Sequence, residues 1–428
     1  MTSEWTDISL SYLADINPKR AIAKGSIAKF IEMAALPTSG RDIKKHDVSL
    51  RQFASGGAKF RNGDTLLARI TPCLENGKTA LVDCLEGQEC GFGSTEFIVL
   101  GPKDDDDSQF LYYLVRSDEF RAYAIARMEG TSGRQRVPNS AVAGYRFLCP
   151  PRSERMEIGS TLGCIDDQIT LLRQTNITLE AIVQALFKSW FVDFDPVHAN
   201  AGSQASDLSP EMQALFPSTF TDSSQGLIPE GWTVRTIGEV IETVGGATPD
   251  TKNQEFWSPP EISWTSPKDL SGLNAPVLLA TERKISRKGL SKISSGLLPE
   301  GTLLMSSRAP IGYLAISQVP VAINQGYIAM LPGGELPPLF MLFWCRQNMK
   351  TIENRANGST FMEISKKAFR PIELVVPVEK IINEFMDKVE PLFELLVENE
   401  KQIQTLSTLR DTMMSRMLIG RLRVPETE

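Results

Sequence analysis

The residue types that most often do chemistry are few in this chain and do not cluster. Two histidines, His46 and His198, and six cysteines, Cys73, Cys84, Cys90, Cys149, Cys164 and Cys345, are scattered without CxxC spacing. A zinc site needs four such ligands brought together, so the thiols read as reduced and mostly buried. Asp195-Pro196-Val197-His198 approaches the loop that holds a flipped base for methylation, but it lacks the second Pro and the aromatic residue. Pro196 reads better as the end of a helix, because proline disfavours a helical conformation at the residue before it. Gly77-Lys78-Thr79 has the close of a phosphate-binding loop, with Pro72 where the loop requires Gly. A nuclease set can be assembled from Pro249, Asp250, Glu282, Arg283 and Lys284 only by leaving the gap length free, and such matches arise often by chance. The run Asp104–Asp107 reads as a solvated loop. The expectation is a chain with no catalytic centre, metal or cofactor of its own.

Binding is the remaining task. Arg, Lys, Asn and Gln read base edges, and Lys, Arg, Ser, Thr and backbone N–H groups hold phosphates. Polar stretches rich in these residues contain Lys59, Arg61, Arg69, Lys78, Arg134, Arg136 and Asn139 in one half of the chain. The other half has Arg283, Lys284, Arg287, Lys288, Lys292, Ser306, Ser307, Arg308, Asn324, Gln325, Lys366 and Lys367. The net charge of −7 argues against a uniformly basic surface. Its distribution leaves room for local basic faces: residues 1–150 carry 19 basic and 19 acidic side chains and residues 227–376 carry 15 and 13, so the acidity lies elsewhere.

The elements that must position these residues come in duplicate, with the second copy displaced by about 227 residues. Glu4-Trp5-Thr6 corresponds to Gly231-Trp232-Thr233. Thr65-Leu66-Leu67 parallels Thr302-Leu303-Leu304, each after a turn, and both runs lead to an arginine near a proline, Arg69 and Arg308. Ser94–Leu100 matches Asn324–Met330, and Gly130-Thr131-Ser132 matches Gly358-Ser359-Thr360 before strands that end at Pro150 and Pro377.

A long helix follows each copy. In the first, Ile158, Leu162, Ile165, Ile169, Leu172, Asn176, Leu179, Val183, Leu186 and Trp190 recur in alternating steps of four and three. In the second, Phe385, Val389, Leu392, Leu396, Asn399, Ile403, Leu406, Met413 and Met417 do the same, with Arg410 as an interruption and Pro391 as a kink or the true start. Two like halves about a pseudo-two-fold axis set these helices antiparallel, with Asn176 facing Asn399, Leu179 facing Leu396 and Ile169 facing Leu406. A buried Asn pair costs stability and fixes register. Helices of this length span about 55 Å, one to one and a half turns of duplex DNA at ~34–36 Å per turn. Residues 196–226, rich in Ser, Gly, Pro and Ala, read as a surface connection, and Trp190, Phe191 and Phe194 as aromatic surface for a neighbouring domain or a partner subunit.

At 428 residues, 42% hydrophobic and 23% charged, the chain fits a multidomain globular protein. No apolar run reaches the ~18 residues of a membrane span, so a cytoplasmic protein is expected.

Four segments together resemble the specificity subunits of Type I restriction-modification systems. They are Ala185-Leu-Phe-Lys-Ser-Trp-Phe-Val-Asp-Phe-Asp-Pro196, Leu227-Ile-Pro-Glu-Gly-Trp232, Gly130-Thr-Ser-Gly-Arg-Gln-Arg136, and the stretch from Leu406 to Val424. The resemblance implies an α+β architecture: two homologous target recognition domains, residues 1–151 and 227–377, joined by long antiparallel helices, residues 152–195 and 378–420, in a coiled coil. Residues 196–226 become the linker and 421–428 a tail. It implies reading of a split, asymmetric sequence in double-stranded DNA, in assembly with two modification subunits that bring S-adenosylmethionine and two restriction subunits that bring ATP and Mg. An orphan specificity subunit, serving a methyltransferase without restriction, is equally compatible with it.

Overall fold

The computed structural model describes residues 5–423, apart from 88, 206, 207, 309 and 359–361. The match of Ser359 and Thr360 to the first copy, and the positions of Glu4 and Val424, lie outside the described residues. The fold is mixed α/β. It divides into two compact units, Met1–Leu171 with Ile403–Glu428, and Leu172–Gln402.

Both units open and close on the same antiparallel ribbon. Thr6–Ser9 pairs with Arg146–Cys149 so that Thr6 faces Cys149. Thr233–Thr236 pairs with Glu373–Val376 so that Thr233 faces Val376, both 227 positions later. In the first unit a four-stranded antiparallel sheet runs Ala14–Ile16, Phe97–Pro102, Thr65–Ala68, Thr79–Leu81. A five-stranded sheet in the second unit begins in the corresponding order, Thr243–Val244, Tyr327–Met330, Leu303–Ser307, and continues through Ile311–Ser317 to Val277–Leu278. The central strands are apolar and buried throughout, as in Leu66, Leu67, Ile98 and Val99, and in Leu303, Leu304, Ile328 and Ala329. A smaller sheet flanks each: Val48–Gln52, Ile27–Ile31, Gly91–Gly93, Ala58–Phe60 in the first unit, and Arg283–Ile285, Ile262–Thr265, Ala322–Ile323 in the second.

The strand register corrects the internal alignment by one residue. Thr65 faces Leu100 and Leu303 faces Met330, so Thr65 corresponds to Leu303 and not to Thr302. Gly63 and Gly301 then fall into line, each opening its strand at a φ near +85° (85° and 83°) that favours glycine. Matching the letters Thr-Leu-Leu had slipped the frame, and one residue of slip in a strand exchanges its two faces. Arg69 is therefore the counterpart of Ser307, and Ile70 that of Arg308.

The first long helix spans Arg152–Phe191 and the second Glu379–Met417, which runs through Pro391. Pro391 is thus neither its start nor its end. Asp104–Asp107, expected to be a solvated loop, instead anchors the first helix. Arg155 holds the buried Asp107 through two bonds of 2.7 and 2.9 Å, and Arg152 reaches Asp104 at 2.7 Å. Carboxylates beside a helix N-terminus also meet its positive end favourably. The helix stops at Phe191, four residues short of the expected end, and Phe194 takes a left-handed conformation with φ 55°. Pro196 then lies in the first turn of a short helix, Asp195–Asn200, a position proline suits because its missing N–H would be unpaired there anyway. Residues 196–226 are more than a surface connection: they hold the turn of helix Pro210–Gln213 and the hairpin Phe220–Ser223 with Gly226–Pro229, and Val197 and Phe216 are buried in the second unit's core.

Within each unit the long helices pack antiparallel. In the first, Ile158 and Leu162 share a core with Met414 and Met417. Arg410, the interruption of the seam, is 1% exposed and donates to Asp166 at 2.6 Å, whose other oxygen accepts from the Tyr113 hydroxyl at 2.6 Å. In the second, Leu179 packs with Leu396, and the Asn399 amide donates to the Asn176 carbonyl oxygen at 2.8 Å. The Asn176 amide in turn donates to Glu400 at 2.8 Å. Removing one side of a buried ion pair strands the other charge, at a cost of about 3–5 kcal/mol. Arg410→Met should therefore lower the urea midpoint sharply, and Arg410→Met with Asp166→Leu should recover much of the loss; equal midpoints for wild type and the single variant would show that the pair contributes nothing.

Candidate nucleic-acid interface

In the first unit, Arg69, Arg134 and Arg136 come together at the end of the central strands. Arg69 follows strand Thr65–Ala68, and its backbone N–H donates to the Glu96 carbonyl at 3.0 Å. Val137 donates to the Arg69 carbonyl at 2.9 Å, and Glu129 and Arg136 exchange backbone bonds of 2.9 and 2.8 Å around the turn that begins at Gly130. These bonds bring the guanidinium groups of Arg136 and Arg69 close to one carboxylate, Glu96. Arg136 grips Glu96 with Nε at 2.9 Å and Nη2 at 2.7 Å, the fork geometry that suits arginine to a carboxylate. That hydrogen bonding, helped by the nearby Arg69 charge, holds the Glu96 carboxyl below its ordinary value. Arg69 Nε is buried without a hydrogen-bond partner among the described residues, and Arg134 is exposed at the turn.

The other candidates of this unit lie apart from that cluster. Lys78 donates to the Met33 carbonyl at 2.8 Å and the Ala34 carbonyl at 3.3 Å, so it fastens a turn. Arg61 pairs with Asp105 at 2.8 Å, and Lys59 lies 4.8 Å above the Phe53 ring. Asn139 is exposed at the start of helix Asn139–Ala143.

In the second unit the same strand end carries Arg308, whose guanidinium is 3.8 Å from Glu363. Asn324 and Gln325 border it through the bond from Ser307 N–H to the Gly326 carbonyl, 2.8 Å. Asn324 accepts from the Gly326 N–H at 2.8 Å, and Gln325 accepts from the Thr248 hydroxyl at 2.6 Å. Lys366 and Lys367 are exposed in the first turn of helix Lys366–Phe369. A separate basic ridge follows the small sheet. Arg283 stacks 3.7 Å from the Trp257 ring, Lys284 is exposed beside it, Arg287 pairs with Glu261 at 3.2 Å and Lys288 with Glu255 at 3.3 Å, and Lys292 is 5.6 Å from the Phe256 ring.

Two expectations fail on burial. Ser306 and Ser307 face the interior, and the Ser306 hydroxyl is spent between the Pro310 carbonyl and the Tyr313 N–H, both at 2.8 Å, so neither is an exposed contact. Trp190 is 1% exposed, lies 5.1 Å from the Phe216 ring and shares a core with Trp232 and Phe340, so of the two uses expected of it, a neighbouring domain or a partner subunit, it serves the first. Phe191 and Phe194 are half-buried against Phe340 and Trp232.

The donor groups named from sequence leave out Glu96 and Glu363, the carboxylates beside Arg136 and Arg308. A polar turn ending in Glu, Ser94-Thr95-Glu96, was the available signal for the first. Among the described residues no group of three or more His, Cys, Asp or Glu is placed to hold a metal, and no helix is long and apolar enough to cross a membrane.

Duplicated α/β units, each supplying strands to a ribbon that leads into a long helix, define a protein of internally repeated architecture. The chain is similar to the specificity subunits of Type I restriction-modification systems. Residues 229–405 match the model of the Type I restriction modification DNA specificity domain. The chain is similar to the Type I restriction enzyme HindI specificity subunit of Haemophilus influenzae, 27% identical over 85% of this chain and 87% of that one. It is also similar to the MjaIX specificity subunit of Methanocaldococcus jannaschii, 34% identical over 43% of this chain and 42% of that one. The crystal structure of a Type I S subunit from M. genitalium shares the fold, with TM-score 0.57 and 16% identity, covering 100% of this chain and 98% of that one.

Because Glu96 is held low, its pairing with Arg136 stabilises fully above the unfolded carboxyl value of about 4.3 and is lost as pH falls through the lower folded value. Urea midpoints of wild type and Glu96→Gln should accordingly differ at pH 7 and converge towards pH 3. A gap independent of pH would show that the ion pair is not its source.

Proposed function

We propose that this chain selects the DNA sequence on which a Type I restriction-modification enzyme acts, each unit reading one half of a split, asymmetric site in duplex DNA. The observation that carries the reading is the duplication itself: matched ribbons in matched register, and in each unit a central-sheet strand end with arginine and carboxylate side chains. Similarity to Type I specificity subunits, and the match of residues 229–405 to the DNA specificity domain, support it.

The two units act as target recognition domains, and the long helices form an antiparallel coiled coil that sets the gap between the half-sites. The facing positions found inside each unit, Asp166 with Arg410 and Asn176 with Asn399, are those of a single antiparallel register and support this arrangement. Asn176 and Asn399 then serve as a register lock. The chain itself is non-catalytic: two modification subunits bring S-adenosylmethionine, and two restriction subunits bring ATP and Mg. Of the cations named from sequence, those at the strand ends contact bases and those on the ridge from Arg283 to Lys292 contact phosphates.

The test is selection from a random duplex library by the tagged full chain, purified from its own host with the subunits that accompany it. Two short defined blocks separated by a spacer of fixed length and free sequence are expected. A single contiguous block, a palindrome or no enrichment would overturn the reading.

A further inference from the structure

At the strand end the two units share a backbone frame and differ in charge. Arg69 N–H bonds the Glu96 carbonyl at 3.0 Å, as Ser307 N–H bonds the Gly326 carbonyl at 2.8 Å. Val137 N–H bonds the Arg69 carbonyl at 2.9 Å, as Ile364 N–H bonds the Ser307 carbonyl at 3.0 Å. Glu129 and Arg136 exchange two backbone bonds, and Asn357 and Glu363 do the same at 2.9 Å each. Ile70 bridges Arg136 as Arg308 bridges Glu363, and Gly130 and Gly358 turn the chain with matching positive φ, 120° and 112°. On that common frame four positions have changed character, Arg69 against Ser307, Ile70 against Arg308, Glu96 against Gly326 and Arg136 against Glu363, while Val137 against Ile364 remains apolar and buried. The neighbouring strand residues have kept theirs, Leu66 against Leu304 and Val99 against Ala329 remaining apolar and buried. A frame held fixed while its charges are rewritten is what discrimination between two ligands of the same class requires.

We propose that this strand-end frame is the sequence-discriminating element of each unit, with Arg69 in the first and Arg308 in the second directed at a guanine edge and Glu96 and Glu363 as positioning residues. The inference rests on the DNA-reading function proposed above. Guanine is assigned because O6 and N7 accept together from one guanidinium, which no other base offers in the major groove. The carboxylate beside each arginine has a definite effect. It weakens the attraction of that cation for phosphate, present at every site, and leaves the directed base contact, present at one.

The selection described above, repeated with Arg69→Ala, Arg308→Ala, Arg308→Lys and Glu363→Gln, tests the assignment. Arg69→Ala should relax the half-site read by the first unit, and Arg308→Ala that read by the second, on the order of tenfold to a hundredfold at one position with the other half intact. Lysine keeps the charge but not the fork, so Arg308→Lys should hold affinity and still relax the same position. Glu363→Gln should raise affinity for unrelated duplexes and steepen its salt dependence, an effect a merely structural carboxylate would not produce. If wild type selects a split site and the arginine variants, folded by circular dichroism, select it unchanged, the inference fails while the function stands. Equal loss of affinity for all duplexes would make these residues phosphate contacts and likewise overturn it. No selection by wild type would remove both.

Discussion

The Asp166 carboxylate is the constraint on which the helix packing of the first unit depends. It is withdrawn from water, and its two oxygens are satisfied by Arg410 on the other long helix and by the Tyr113 hydroxyl on helix Ser108–Arg116. Leucine and isoleucine seams adhere without choosing an alignment, because one apolar neighbour replaces another at modest cost. A buried charge has no such freedom: sliding either helix by a turn would part Asp166 from Arg410 in the interior and leave Arg410 only Asp411 on its own helix, a cost of several kcal/mol. The second unit uses a milder form of the same device, where Asn176 and Asn399 are bonded to each other and the half-buried Glu400, its carboxyl raised by burial, accepts the remaining Asn176 amide.

A fixed helix register is useful only if the sheets are tied to the helices, and the ribbons do this. Arg146–Cys149 and Glu373–Val376 each end on a proline, Pro150 and Pro377, which stops strand pairing at the same place and turns the chain into a long helix. In the first unit the corner is reinforced by Arg152 and Arg155 on the acidic run that precedes helix Ser108–Arg116. The strand ends therefore inherit their positions from the helices through short, well-bonded corners.

How much of this was legible in the sequence depended on the range of the interaction. The seams were legible because their period is local, and the Asn pair because two polar residues occupied the same phase of two apolar patterns. Arg410 read as an interruption because its partner is 244 residues away and Asp166 looks like any surface carboxylate of a helix. The duplication was legible, yet its frame slipped by one residue at Thr65, because the register is carried by backbone bonds to Leu100 and Met330 and not by letters. Burial misled in both directions. Ser306 sits in a polar-looking run but inside a strand, and Asp107 sits in the most acidic run of the chain yet is 2% exposed.

The cations explain how an acidic chain can be suited to reading DNA. Six of the fourteen named from sequence are already engaged: Arg136 by Glu96, Arg61 by Asp105, Arg287 by Glu261, Lys288 by Glu255, Arg308 by Glu363, and Lys78 by backbone carbonyls. Such pairing reduces the counterion release that drives binding to any duplex. That reduction is an advantage for a reader, since a genome offers a vast excess of wrong sites and what matters is the ratio of right to wrong affinity. Directed bonds from a few positioned side chains survive the loss of general attraction, whereas nonspecific contacts do not. On this argument the excess of Asp and Glu opposes phosphate binding in general, and under the proposed reading the strand-end frame restores affinity only where the bases fit.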